Sequence, residues 1–148
     1  MQEPERIKAQ KASDYFEIIT KAVFQSGMSW KVIEAKWPGF ENAFSAFDVA
    51  EVAAYSPDDV DRLTQDKEIV RNRRKIEATI GNAARIVELE QEHGSFRKYL
   101  ASFPDFDSKW KALQKEFKFV GGFGAYYFLF VVGEEVPPHD TFREQLLS

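Results

Sequence analysis

The chain has 148 residues, enough for a single domain with its own core. Hydrophobic residues make up 44% and aromatics 15%, with 14 Phe, which excludes an intrinsically disordered protein. With no cysteine and a net charge of −4, disulfides, thiolate metal sites, cysteine nucleophiles and nucleic-acid binding through overall charge are all excluded; nucleic-acid binding would need a local basic face.

The order of elements reads as one helical domain over residues 1–148. Residues 1–12 are polar and charged, lack the apolar stretch of a signal peptide, and are read as a flexible lead. Ser13 or Asp14 can cap a first helix that runs to about Gln25, with Phe16, Ile19 and Val23 as its core stripe. Ser26-Gly27 breaks it. Ser29 can cap a second helix from Trp30 to Trp37, which Pro38-Gly39 is expected to end. Phe40, Ala43, Phe44 and Phe47 predict a short third helix, and Asp48 caps a fourth with Val49, Val52 and Ala53 inward. Ser56-Pro57-Asp58-Asp59 is a helix start: a capping Ser, Pro at the first helical position and acids in the first turn. That helix is short, through about Leu63. A long helix is expected from about Lys67 to Glu92, with Ile69, Ile76, Ile80, Ala83 and Val87 inward. Gly94 stops it, and Ser95 opens the next, which carries Phe96, Tyr99, Leu100 and Phe103.

The segment Ser108 to Asp140 has the most chemistry in it. Trp110, Leu113 and Phe117 give Ser108–Phe117 a helical stripe, and Lys118–Gly122 is a tight turn. Phe123–Val132 is almost wholly apolar, yet too short to cross a membrane, so it reads as a buried helix ended by Gly133. An acidic, proline-containing loop leads to His139-Asp140 and a last helix from Thr141 to Leu147. No strand alternation and no transmembrane run is present, so the expectation is an all-α protein. No targeting segment and no cysteine fit a cytoplasmic location.

Four features could carry function, and each has a plain structural alternative. The turn Lys118-Phe119-Val120-Gly121-Gly122 opens onto a helix N-terminus, where free N–H groups favour an anion such as phosphate; otherwise its glycines only allow close packing. Gln25 to Trp30 is a glycine-broken corner that either packs or presents a wedge and an aromatic face to an extruded base. The cations of Arg71-Asn72-Arg73-Arg74-Lys75 either pair with Glu68 and Glu77 on a solvated face or meet phosphates. Asp140 is either a helix N-cap or a carboxylate that stabilises a developing cation. The histidines, His93 and His139, lie far apart and outside any HxxxH spacing, so no metal site is expected.

Together these strings resemble the DNA-3-methyladenine glycosylase I family of base-excision repair enzymes. The matching runs are Gly27-Met28-Ser29-Trp30, Asp58-Asp59-Val60-Asp61-Arg62-Leu63, Ile69-Val70-Arg71-Asn72-Arg73, Lys75-Ile76-Glu77-Ala78, Ile80-Gly81-Asn82-Ala83 and Phe117-Lys118-Phe119-Val120-Gly121. The resemblance spans roughly Asp14 to Gly133 and implies a helix-hairpin-helix glycosylase fold, with two helical lobes and a base pocket in the cleft. It also implies the activity, which is hydrolysis of the N-glycosidic bond of an alkylated purine in double-stranded DNA after base flipping, by a monomer that needs no membrane.

Residue by residue, the resemblance implies that Lys118, Phe119, Val120, Gly121 and Gly122 hold a DNA phosphate. Gly27 and Met28 fill the gap left by the flipped nucleotide, and Trp30 stacks on the base beside Gln25. Where the family carries a base-reading glutamate, this chain has Ala22. The family's N-terminal segment, with a pocket tyrosine and zinc ligands, is replaced by the polar lead, so no zinc or other cofactor is expected. Asp140 within His139-Asp140-Thr141 resembles the catalytic aspartate of the wider superfamily. The alternative implied by Ala22 is a non-catalytic relative that senses damage by binding DNA.

Overall fold

Capping chemistry sets most helix starts. The computed structural model describes residues 4–147; Met1 to Glu3 of the polar lead, and Ser148, lie outside the described residues. Asp48 accepts from the Glu51 N–H, Ser56 from Asp59, Ser95 from Lys98 and Asp105 from Ser108, opening helices α3 (Val49–Ala53), α4 (Pro57–Leu63), α6 (Phe96–Ala101) and α7 (Phe106–Glu116). Helix α1 (Ala12–Gln25) begins at Lys11 instead of Ser13 or Asp14. Asp14 sits one turn in, and its carboxylate accepts the N–H groups of Gln10 and Lys11 at 3.0 and 3.1 Å. Among the described residues every regular element is helical, as the hydrophobic pattern predicts.

Four further boundaries differ from the sequence expectation, each for a local reason. Helix α2 (Trp30–Ala43) runs straight through Pro38-Gly39 and absorbs the start of the expected third helix. Buried Trp37 and Phe40 stack across the proline at 4.9 Å, and the Trp37 indole N–H donates to Glu17 at 2.8 Å. That packing outweighs the hydrogen bond lost at Pro38. Gly39 serves close approach, since a Cβ there would lie 2.3 Å from the Glu68 carbonyl. What remains of the third helix is a 3-10 turn, Ser45–Phe47, whose three residues all have φ between 53° and 60°. Tyr55 holds this left-handed turn through Ser45 Oγ at 2.6 Å and the Ala43 carbonyl at 3.0 Å.

The long helix α5 (Arg73–His93) starts later than Lys67. Asp66 accepts the Glu68 N–H and Asn72 accepts the Lys75 N–H, so side chains compete with a helical backbone up to Asn72. Ile69 still buries itself from this turn. At the other end of the chain, helix α9 (His139–Leu147) begins before Thr141, with the Phe142 N–H on the Pro138 carbonyl. Asp140 is therefore in the first turn and is not the N-cap.

The polar lead is not a loose tail over its described part. The Ile7 N–H donates to the Val131 carbonyl at 2.7 Å, the Arg6 guanidinium lies 4.2 Å from the Phe130 ring, and Ala9 is buried under the Tyr15 hydroxyl. Residues 4–9 thus dock on the C-terminal end of α8 (Gly122–Val131).

Helix α5 forms the spine of one lobe, contacting α1, α3, α4 and α6, while α1 also packs on α8, which packs on α7. One buried cluster passes without a break from Phe16 and Phe24 through Ile76 and Ile86 to Phe96, Phe128 and Leu129. The two lobes share that core, and the cleft lies on its surface.

Candidate functional site

A cavity of about 900 Å³ opens between the α1–α2 corner, α8 and α9. Gln25 from the end of α1 and Trp30 from the start of α2 form one wall. Phe123, Tyr126, Tyr127 and Phe130, spaced at helical intervals along α8, form the floor. His139, Asp140 and Arg143 close the far side from α9, and Pro4 of the docked lead reaches its edge. The structure thus brings Asp140, distant in sequence, to the corner formed by Gln25 and Trp30. Aromatic contacts set the walls: Trp30 meets Tyr127 edge-on at 5.6 Å, and Tyr126 packs on Phe142 at 4.3 Å and on His139 at 5.8 Å. The Tyr126 hydroxyl donates to the Pro137 carbonyl at 2.7 Å, which anchors the loop leading into Asp140.

Ala22 is not part of this lining. It is buried on α1, and a Cβ at Gly124 would sit 3.5 Å from its own, so its small side chain lets α1 and α8 come close. The carboxylate of the site comes from α9 instead.

The corner between α1 and α2 is fixed from below by Lys75. Its ammonium is buried and donates to the carbonyls of Ser26 at 2.6 Å and Phe24 at 3.3 Å, two acceptors that the end of α1 leaves open. Burial pulls its pKa below the ordinary lysine value. Gly27 at the apex has φ 75°, a conformation that suits glycine, and Met28 beside it is exposed. Lys75 is therefore a structural residue, distinct from the rest of the Arg71–Lys75 run. Arg73 pairs with Asp61 at 2.6 Å, with Glu77 adding a weaker charge attraction, while the Arg74 guanidinium lies over Phe119 at 5.9 Å.

The hairpin between α7 and α8 is clamped from two sides. Asn82 is buried and grips the backbone of Lys118, accepting its N–H at 2.9 Å and donating to its carbonyl at 3.1 Å. The Trp110 indole donates to the Gly122 carbonyl at 2.8 Å. The left-handed residue of the turn is Phe119, at φ 60°. The two glycines then divide the work. A Cβ at Gly122 would meet Trp110 at 3.1 Å and Leu146 at 3.2 Å, tighter than ordinary contact, so a side chain there crowds the packing. Gly121 has an ordinary φ of −85°, and a Cβ on it would meet nothing within 4 Å. No side chain caps α8, so its first N–H groups are left without an intrahelical partner beside that open space. Lys118 and Phe119 are exposed at the same surface, whereas Val120 is buried beneath it.

Sequence reasoning missed the α8 tyrosines, Asn82, Arg143 and Lys75. The tyrosines lie in a run so apolar that only burial could be read from it. Asn82 sat within the resembling string Ile80–Ala83, but only the tertiary fold brings it to the hairpin. The chain has no cysteine, and among the described residues no group of three or more His, Cys, Asp or Glu could hold a metal ion. No helix among the described residues is long and apolar enough to cross a membrane.

A family model described as methyladenine glycosylase matches residues 7–119. DNA-3-methyladenine glycosylase 1 of Escherichia coli strain K12 is 34% identical over 139 residues, covering 80% of this chain and 74% of that protein. DNA-3-methyladenine glycosylase of Haemophilus influenzae is 31% identical over 88 residues, covering 60% and 48%. A crystal structure of a 3-methyladenine DNA glycosylase I superposes with a TM-score of 0.76 at 31% identity, over 86% of this chain and 81% of the other. The Staphylococcus aureus 3-methyladenine DNA glycosylase I, solved to show how 3-methyladenine is recognised, gives 0.76 at 26% identity over 87% and 79%. The match to the family model stops in the hairpin turn, so α8 and α9, which supply most of the cavity, lie beyond it.

Proposed function

This chain belongs to the methyladenine glycosylase family, and from that premise we propose that it is a monofunctional DNA glycosylase of base-excision repair. It hydrolyses the N-glycosidic bond of an alkylated purine, of the 3-methyladenine kind, after flipping the base out of double-stranded DNA. The observation that carries the reading is the single cavity uniting Trp30, Gln25 and Asp140 next to the first turn of α8.

In this mechanism the open amides around Gly121, with Lys118, hold a phosphate. Gly27 and Met28 enter the gap in the stack. Extrusion costs on the order of a few kcal/mol, least at a damaged pair. Stacking on Trp30 returns about 1–3 kcal/mol, and a positively charged purine gains more from the aromatic walls. An alkylated base leaves without being protonated, so the remaining task is at the sugar. The Asp140 carboxylate stabilises the oxocarbenium-like sugar and orients the attacking water, as carboxylates do in glycoside hydrolysis. In this proposal the protein acts as a cytoplasmic monomer without zinc or another cofactor.

The test is release of free base from methylated duplex DNA by the purified protein. Release is expected; none, with a working glycosylase control alongside, overturns the assignment and leaves a damage-binding protein. Asp140→Asn separates the two roles of that residue. Turnover should vanish with DNA affinity kept; if only stability falls, by about 0.3–1 kcal/mol, Asp140 merely complements the α9 dipole.

A further inference from the structure

We propose that Tyr127 is the residue that reads the edge of the extruded base, its hydroxyl donating a hydrogen bond to a ring nitrogen or carbonyl of a purine stacked on Trp30. The inference rests on the cavity being the base pocket. Tyr127 and Tyr126 are neighbours on α8 but face opposite walls. Tyr126 turns to α9, where its hydroxyl is spent on the Pro137 carbonyl. Tyr127 turns to α2, with its ring edge-on to Trp30 at 5.6 Å. Among the described residues no hydrogen bond engages its hydroxyl, although the side chain is half-buried and lines the cavity. A phenol O–H on a cavity wall with no protein partner keeps its donor free for a ligand.

The electrostatics suit a donor. Burial, followed by the nearby carboxylates of Glu34 and Glu17, pushes the phenol above its ordinary pKa, so it keeps its proton through neutral pH. The same carboxylates make this end of the cavity favourable for a cationic ring. Glu17 itself is engaged by the Trp37 indole at 2.8 Å. Ala22, buried between α1 and α8, offers no polar group, so on this wall Gln25 and Tyr127 are the edge readers.

Tyr127→Phe keeps the ring and removes only the donor. Binding of free 3-methyladenine and of indole, a flat ring without an acceptor, is measured by calorimetry for both proteins, with Tm as the folding control. The variant should keep its Tm, lose about three- to tenfold in affinity for 3-methyladenine and bind indole unchanged. No loss, or an equal loss for both ligands, overturns the role of Tyr127. Failure of the unaltered protein to bind 3-methyladenine is a different result and overturns the base-pocket reading on which it rests.

Discussion

At the scale of single residues, the clearest lesson is Lys75. In the sequence it is the last cation of a basic run; in the structure it is the buried pin beneath the Gly27 corner. Lys75→Met should cost about 1–3 kcal/mol in urea denaturation, because the Phe24 and Ser26 carbonyls lose their donor. Trp30→Ala should weaken binding to alkylated duplex by about 1–3 kcal/mol in a titration; unchanged affinity would remove its stacking role. Tyr99 gives a pH signature. Its hydroxyl is buried and has no partner among the described residues, and burial, with Glu116 adding to it, raises the phenol from 10.0 to about 12. The folded state therefore holds this proton where the unfolded state has lost it. The stability it contributes is complete below pH 10 and drains away as pH rises from there toward 12. Tyr99→Phe should flatten the fall in urea midpoint over that range. At neutral pH it should gain about 1 kcal/mol, since an unsatisfied hydroxyl is removed. None of this was legible beforehand: which cation or phenol is buried depends on helix phase and on neighbours distant in sequence.

At the scale of elements, the hairpin is where sequence and structure agree in outline and differ in detail. The sequence located the turn, but the structure puts the left-handed backbone at Phe119, gives Gly122 to packing and leaves Gly121 facing open space. Gly121→Ala should fold normally yet bind damaged and undamaged duplex more weakly, whereas Gly122→Ala should lower stability through the Trp110 contact. Asn82→Ala should cost about 1–2 kcal/mol of DNA affinity by freeing the Lys118 backbone, equally for both duplexes in a competition assay. Helix caps written in short motifs, such as Ser56-Pro57 and Asp105, were readable because capping is local. Pro38 and the start of α5 were misjudged because tertiary stacking of Trp37 on Phe40 and the Asn72 cap overrode simple breaker and periodicity rules.

At the scale of the molecule, the all-α class followed from periodicity, but the pocket did not, because Asp140 reaches the Gln25–Trp30 corner only through the packing of α9 on α8 and of α8 on α1. The docking of residues 4–9 was equally hidden, since a polar segment gives no periodic signal. With a charge of −4, the proposed DNA contact rests on a few cations at the hairpin face, Lys118 and Arg74 among them. Lys118→Ala should accordingly reduce the slope of log affinity against log salt by about 1. The unbroken core linking the lobes has a further consequence, for kinetics. Close-packed interiors do not slide freely, and the buried cluster runs unbroken through the described helices, so the slot should keep its shape as DNA enters. The slot stands ready before DNA arrives, and the tempo of capture belongs to the duplex: a target opposite a mismatch, which opens more readily, should be seized faster by the same rigid protein.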